Sequence, residues 1–181
     1  MDPTPAEFLV PRVRERAPAC GATRVIAIDG RSGAGKTALA LDLADQLGAP
    51  ILHLERLYPG WRGLAQTPAM VRALLADLAI GERGRARQWD WEADRPGPWL
   101  SVRPTSELII EGVGAGARVL RPFLSHLVWL EAPTSVRRER ALARDGSTYE
   151  PWWDVWADQE AAYLAADATP QAADLVISTV R

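Results

Sequence analysis

Residues 25–37 read VIAIDGRSGAGKT, and they are the most informative part of the sequence. The apolar run 25–28 has the character of a buried strand, and the residues after it match the spacing G-x-x-x-x-G-K-[ST] of a phosphate-binding loop that leads into a helix. Glycines let successive backbone N–H groups turn inward around a phosphate, and the helix adds the positive end of its dipole. The residues predicted to bind the phosphates of a nucleotide are Gly30, Ser32, Gly33, Ala34, Gly35, Lys36 and Thr37.

Lys36 is the only lysine in the chain, and all the other basic residues are arginines. Its ammonium group is expected to reach the β- and γ-phosphates as a point charge and so to be catalytic, while the Thr37 hydroxyl is expected to bind Mg²⁺. ATP and Mg²⁺ are therefore the predicted cofactors. The alternative is a glycine-rich turn without a ligand, for which a lone lysine at this position would be a coincidence.

The composition excludes several other kinds of protein. With 48% hydrophobic residues, a chain of 181 residues suits one domain with a buried core. The 21 basic and 23 acidic residues nearly balance, which argues against nucleic acid as a partner. No apolar window reaches the ~18 residues of a membrane span and the first residues lack an export pattern, so we expect a cytoplasmic protein with no membrane partner. One cysteine and two histidines argue against a disulfide and an all-histidine zinc site.

Five short apolar runs alternate with segments of helical character. Continuous apolar runs of this length are typical of strands that are covered on both faces, so the sequence predicts an α/β fold of the P-loop NTPase kind, a five-stranded parallel sheet with helices on both faces. The predicted strands are 25–28, 51–54, 108–110, 127–130 and 175–177, and the predicted helices are 36–47, 68–80, 134–144 and 154–166. Residues 1–23 are expected to form an N-terminal lead-in with a short helix around 6–16, and residues 24–181 the kinase-like domain.

Two predicted strands end in a carboxylate. Glu111 follows the run 108–110 in the manner of a Walker B strand, and it is predicted to bind Mg²⁺ together with Thr37. Glu55 follows the strand 51–54, beside the phosphate-binding loop, where it could accept a proton from an attacking hydroxyl. The alternatives are an acidic strand end at the surface for Glu111 and a salt bridge to a nearby arginine for Glu55.

Three arginines lie on one face of the helix that follows the fourth strand. Arg137, Arg140 and Arg144 are spaced i, i+3 and i+7, and their charges would repel one another unless an anion lies between them. The spacing predicts a helical lid in which Arg137 and Arg140 are catalytic and Arg144 binds the nucleotide. The alternative is a solvated helix face whose charges pair with Glu139 and Asp145.

Aromatic residues mark a candidate acceptor site. In the sequence Trp89-Asp90-Trp91, the indole rings could stack on a flat ring and the aspartate could accept two hydroxyl groups of a sugar or polyol, although the tryptophans could also cap the core under a surface hairpin. The remaining aromatic cluster and the two histidines are predicted to be structural. These residues are Trp152, Trp153, Trp156, Tyr163, His53 and His126.

Other nucleotide-binding classes fit less well. The glycine-rich run 112–117 fits a dinucleotide fingerprint, but Pro122 interrupts the helix that it should open and Glu111 would repel a pyrophosphate. The chain has no asparagine and so lacks the guanine motif of GTPases, and it lacks the Ser-Gly-Gly signature of ABC ATPases. A small phosphotransferase remains.

Over residues 24–178 the chain resembles uridine kinase and its relatives, the P-loop nucleoside kinases. In that family an Asp-x-Phe-Tyr motif supplies the catalytic base, a Tyr-Asp-Phe motif binds the nucleoside, and the lid has the form Arg-x-x-Arg followed by Arg-Asp. The resemblance implies that Glu55 is the base, that the acceptor-binding residues are Tyr58, Trp89, Asp90 and Trp91, and that the lid arginines are Arg137, Arg140 and Arg144.

The acceptor stays open at this point. The predicted partner is a small, nucleoside-like molecule, but a nucleoside monophosphate, a sugar or an antibiotic would use the same machinery. A monophosphate would need further basic residues beside the acceptor, for which the candidates are Arg62, Arg83, Arg85, Arg87 and Arg95. A non-catalytic nucleotide-binding module is the alternative from another class. The sequence does not predict the oligomeric state.

Overall fold

The protein is built on a sheet of five parallel strands, seen in a computed structural model that describes residues 4–180. The strands of the chain are β1 (Arg24–Gly30), β2 (Ile51–His53), β3 (Gly84–Asp90), β4 (Arg95–Val102), β5 (Glu107–Glu111), β6 (His126–Glu131) and β7 (Leu175–Ser178). The central sheet has the order β2-β5-β1-β6-β7, which places β1 in the middle. The carboxyl ends of β1, β2 and β5 therefore meet at one edge of the sheet, where ligands bind in open α/β folds.

Six helices surround this sheet among the described residues, and those predicted from the sequence are found to within one residue at each end. They are α1 (Pro5–Glu15), α2 (Lys36–Leu47), α3 (Thr67–Ala79), α4 (Thr134–Asp145), α5 (Trp153–Asp167) and the short α6 (Thr169–Ala172). The predicted α/β fold with a five-stranded parallel sheet is confirmed.

The core has one layer on each face of the sheet. Alternate residues of β1 point to opposite sides, so Val25 and Ala27 pack with α3 and α5, while Ile26 and Ile28 pack with α1 and α2. All four side chains are fully buried. Burial on both faces explains why this strand is an uninterrupted apolar run in the sequence.

The first helix packs against the rest of the protein. Thr4 caps α1 by accepting the backbone N–H of Glu7, whose carboxylate in turn accepts the N–H of Thr4. Leu9 and Val13 are fully buried and belong to the same apolar layer as α2. The short helix expected around 6–16 in the lead-in segment is thus present, and it packs into the core.

Strands β3 and β4 form a separate antiparallel hairpin between α3 and β5. The hairpin packs through β3 against α3, and Ala86 is buried in the core layer on that side. The pairing register shifts between Arg87 and Trp89, which marks a β-bulge near the tip. Over the described residues, no helix has the length and apolarity that a membrane span requires.

Replacement of Leu9 by alanine tests the packing of α1. Because Leu9 is fully buried, the variant is expected to lower the free energy of unfolding by about 2–4 kcal/mol, measured by urea denaturation. Phe8 lies on the same helix with 37% of its surface exposed, and Phe8→Ala is the matched control that should cost much less. Equal effects of the two substitutions would mean that α1 is not part of the core.

The buried imidazole of His126 predicts a loss of stability in acid. Burial lowers the pKa of His126, and neither ring nitrogen has a hydrogen-bond partner within residues 4–180. The unfolded chain, with an imidazole pKa of about 6.5, therefore binds the proton more readily than the folded protein does. His126→Phe should remove this penalty, so the variant should lose less stability than the original protein between pH 7.5 and 5.5. Parallel pH profiles in urea denaturation would contradict the prediction.

Candidate active site

The predicted phosphate-binding loop lies between β1 and α2, at the carboxyl edge of the sheet. Gly35 adopts a left-handed conformation with φ of 96°, and α2 begins at the next residue. Lys36 is buried, and its Nζ donates a hydrogen bond across the loop to the carbonyl oxygen of Arg31 at 3.1 Å. The loop therefore encircles the N-terminus of α2, the arrangement that binds anions.

Three carboxylates lie near the buried ammonium group of Lys36. Burial lowers its pKa, and the negative charges of Glu111, Glu160 and Asp29 act in the opposite direction. These carboxylates offset the cost of holding a positive charge away from water. A cation is thus available at the point where the loop would receive the terminal phosphates.

A cavity of 680 Å³ opens in front of this loop. One side is the phosphate-binding end, with Ser32, Gly33, Gly35, Lys36 and Thr37, and three carboxylates line the cavity at Glu55, Glu111 and Asp145. The opposite side is aromatic, formed by Tyr58, Trp61, Trp91, Tyr149 and Trp156, and the lid contributes Arg140 and Arg144. The structure therefore brings most of the predicted site residues into one space.

Glu111 and Thr37 form an oxygen-rich corner beside the loop. Glu111 is the last residue of β5 and lies next to Ile28 of β1, which carries its carboxylate to the same edge. The Thr37 hydroxyl donates to Glu111 Oε1 at 3.4 Å, and His53 Nδ1 lies 2.7 Å from the same oxygen. A hydroxyl and a carboxylate are ligands that suit Mg²⁺, so these residues fit the predicted ion.

His53, predicted to be structural, contacts this corner. The hydrogen bond to Glu111 raises the pKa of His53, and burial acts against that rise. His53 ends β2, which pairs with β5 so that His53 and Glu111 are opposite each other. The strand order, which the sequence does not give directly, explains why this contact was missed.

Glu55 lies in the short 3-10 turn after β2 and lines the cavity. Its backbone carbonyl accepts a hydrogen bond from the indole N–H of Trp91 at 3.0 Å, which links the turn to the hairpin tip. The expected alternative, an ion pair with a nearby arginine, is not seen among the described residues. The Glu55 carboxylate is therefore available to a ligand in the cavity.

The three lid arginines separate into two groups. Arg140 and Arg144 line the cavity, where Arg140 donates to the hydroxyl and carbonyl oxygens of Thr179 and Arg144 forms a two-point ion pair with Asp145. Arg137 is buried and lies outside the cavity lining.

Arg137 contacts protein oxygens where a phosphate contact was expected. Its guanidinium donates to the carbonyls of Ala132 and Ser32 and to the Thr134 hydroxyl. The start of α4 crosses directly over the loop, and a Cβ on Gly33 would collide with the Arg137 backbone. Arg137, the first of the three arginines on this helix face, therefore contacts the loop backbone and points away from the cavity.

Only Trp91 of the predicted Trp89-Asp90-Trp91 acceptor motif reaches the cavity. Asp90 Oδ1 accepts the backbone N–H of Ala93 at 3.1 Å and so stabilises the hairpin turn. Trp89 packs beside Gly60, and its indole nitrogen is buried without a partner in residues 4–180. The bulge between Arg87 and Trp89 breaks the simple alternation on which the prediction relied.

The aromatic wall contains residues that the sequence analysis did not assign to the site. Trp61 stacks on Tyr149 with ring centroids 5.3 Å apart and on Trp152 at 5.8 Å, and it meets Trp91 at 4.9 Å. Trp156, predicted to pack, does pack against Tyr58 at 4.8 Å but also lines the cavity. The only available signal was the closeness of Trp61 to Glu55 in the sequence.

The glycine-rich run after β5 binds a buried carboxylate. Asp29 is fully buried and accepts the N–H groups of Gly114 and Gly116 and the hydroxyl of Tyr163. Burial raises the pKa of Asp29, and these donors counteract that rise. The N–H groups of Gly114 and Gly116 are thus bonded to Asp29. The run itself forms turns, so the helix that dinucleotide binding would require does not follow it.

Comparison with known proteins gives similarity at the level of structure. No family model and no curated protein matches the chain. A possible uridine kinase from Bacillus stearothermophilus superposes with a TM-score of 0.65 at 22% identity, over 95% of this chain and 96% of the other. A candidate fructose transport system kinase from Silicibacter sp. TM1040 gives a TM-score of 0.64 at 20% identity, over 97% of this chain and 100% of the other. A gluconokinase from Sinorhizobium meliloti 1021 gives a TM-score of 0.52 at 16% identity, over 92% of this chain and 85% of the other.

These similarities extend over almost the whole chain at low sequence identity. The resemblance predicted from the motifs is thus confirmed as a resemblance of fold. The chain has the fold of the P-loop kinases.

Proposed function

We propose that the protein is an ATP- and Mg²⁺-dependent kinase that transfers the γ-phosphoryl group to a hydroxyl of a small molecule, and that this acceptor is a nucleoside. The observation that carries the proposal is that the phosphate-binding loop, Glu55, Glu111 and an aromatic wall meet in one cavity of 680 Å³. A nucleotide's phosphates and an acceptor ring can both be accommodated there, with the reacting groups between them.

A second cavity supports the placement of the nucleotide. It has a volume of 480 Å³, lies beside the start of α2, and shares Gly35, Ala38 and Arg140 with the first cavity. Leu130 and Ile177 contribute apolar walls. An apolar space next to the loop suits a purine base, which would leave the aromatic end of the first cavity to the acceptor.

The phosphoryl transfer would depend on electrostatic stabilisation of the transferred group and on the position of the acceptor hydroxyl. In the reaction a bond forms between the acceptor oxygen and the γ-phosphorus, the bond to the β–γ bridging oxygen breaks, and ADP leaves. Lys36 and the loop N–H groups would stabilise the charge on the transferred group, and Glu55 would accept the hydroxyl proton. Thr37 and Glu111 would hold Mg²⁺, which neutralises charge on the phosphate oxygens when it is bound.

The charges along the cavity support an acceptor without an anionic group. Its basic side chains, Lys36, Arg140 and Arg144, belong to the loop and the lid. The arginines that a monophosphate acceptor would need do not line this cavity; they are Arg62, Arg83, Arg85, Arg87 and Arg95. An uncharged acceptor with a flat ring suits the stacked aromatic wall, and a nucleoside has both properties.

A panel assay tests the proposal. The protein is incubated with ATP, Mg²⁺ and separate nucleosides, nucleoside monophosphates, sugars and aminoglycosides, and ADP formation is measured. We expect a nucleoside to give the highest kcat/KM. Turnover of another class alone would refute the nucleoside assignment, and ATP binding without transfer to any acceptor would refute the kinase proposal in favour of a binding module.

Replacement of Lys36 by alanine should nearly abolish turnover. Loss of a cation that stabilises the transferred phosphoryl group is expected to lower kcat by about 10²–10³-fold. The measurement is ADP release at saturating ATP and acceptor. Arg72→Ala, which removes a positive charge from an exposed position on α3, is the matched control and should retain full activity. An unchanged rate in Lys36→Ala would rule out the loop as the phosphate site.

Replacement of Glu55 by glutamine should separate chemistry from nucleotide binding. The amide cannot accept the hydroxyl proton, so kcat is expected to fall by about 10²–10⁴-fold. The Kd for ATP, measured by calorimetry, should stay within a factor of about two because Glu55 faces the acceptor end. Glu82→Gln, at an exposed position after α3, serves as the control. Turnover like that of the original protein would remove Glu55 from the mechanism.

A further inference from the structure

The phosphate-binding loop is held from outside by a buried carboxylate. Glu160 of α5 has only 1% of its surface exposed. Its Oε1 accepts the backbone N–H of Ser32 at 2.6 Å, and its Oε2 accepts Nε of Arg31 at 3.0 Å. The carboxylate is thus bonded to two consecutive residues of the loop, although it is 128 residues away from Ser32 in the chain.

Helix α4 also contacts Ser32 of the loop. Arg137 of α4 donates to the carbonyl oxygen of Ser32 at 3.2 Å, and it lies 3.9 Å from Glu160 Oε2. The backbone of Arg137 also packs against Gly33, so closely that no side chain would fit there. The N–H and the C=O of Ser32 are therefore both bonded, one to α5 and one to α4.

Glu160, Arg31 and Arg137 form a charged cluster, which differs from ordinary apolar packing in the core. A buried carboxylate is costly unless it is paired, and removal of one partner of such a pair leaves an uncompensated charge. A negative charge next to a phosphate site also opposes ligand binding unless cations outnumber it. Arg31 and Arg137 supply two positive charges against one, which leaves the cluster with a net charge of +1.

The cluster therefore does two things for the loop. It fixes the backbone of residues 31–33, and it keeps a net positive charge beside the phosphates. Glu160 is also among the negative groups that favour the charged form of Lys36.

We propose that Glu160 is a positioning residue for the nucleotide: with Arg31 and Arg137 it holds residues 31–33 of the loop in the shape that receives the terminal phosphates. This inference rests on the proposed function, because the phosphates concerned are those of ATP. Glu160 itself touches the loop and not the reacting atoms.

The test measures ATP binding and stability separately. In Glu160→Gln the amide oxygen can still accept the Ser32 N–H, but the ion pairs with Arg31 and Arg137 that hold residues 31–33 in place are lost. We expect this loss of positioning to outweigh the added positive charge. The Kd for Mg²⁺-ATP, measured by calorimetry under conditions in which the variant is fully folded, is expected to rise about tenfold or more. Asp158→Asn, an exposed position on the same helix, is the matched control and should bind ATP like the original protein.

A double variant distinguishes positioning from a structural role. Glu160→Gln with Arg137→Met removes one charge of each sign, so the stability lost in Glu160→Gln should be partly recovered. ATP affinity should not be recovered, because the loop has lost the Arg137 hydrogen bond to the Ser32 carbonyl and the ion pair between Glu160 and Arg31. Recovery of affinity together with stability, or an unchanged Kd in folded Glu160→Gln, would overturn the proposal.

Arg31→Met covers the case in which Glu160→Gln does not fold. The Arg31 side chain is 26% exposed, so its loss should be tolerated, and the variant removes the bond by which Glu160 holds residue 31 of the loop. We expect a weaker ATP affinity of similar size, and a Kd equal to that of the original protein would overturn the inference. If the original protein itself gives no binding signal with Mg²⁺-ATP, the proposed function fails; if it binds and all variants bind equally, only the role of Glu160 fails.

Discussion

Lys36 places a positive charge inside the loop between β1 and α2, and the elements around the loop are arranged to compensate it. A buried ammonium group must be balanced, and carboxylates from three different elements do so: Asp29 lies in β1, Glu111 ends β5, and Glu160 comes from α5. Each of these carboxylates also bonds to another part of the site. The same acidic groups therefore favour the charged form of Lys36 and fix the surroundings into which a phosphate would enter.

The fold and one half of the site were predictable because their signals are local. Strands that are buried on both faces appear as short apolar runs, and the helices between them follow from periodicity and spacing. The ends of parallel strands meet at one edge, so Glu55, Glu111 and Thr37 could be placed near the loop before the structure was known. The resemblance to P-loop kinases follows from the same local motifs.

The other half of the site depends on contacts between parts of the chain that are far apart in sequence. The spacing of Arg137, Arg140 and Arg144 gives a helix face, but not how α4 crosses the loop, which turns Arg137 away from the cavity. The bulge in β3 interrupts the alternation at Trp89 and Asp90, which lie outside the cavity lining, and no sequence pattern indicates it. Glu160 joins the loop from more than a hundred residues away.

The aromatic wall has a practical consequence. Three of the eight indole rings of the chain, those of Trp61, Trp91 and Trp156, line the cavity. Indole emission depends on the polarity and motion of its immediate surroundings, so molecules that enter this space act directly on the chromophores. The protein thus carries its own optical reporter of occupancy, and ligand screening needs no attached dye.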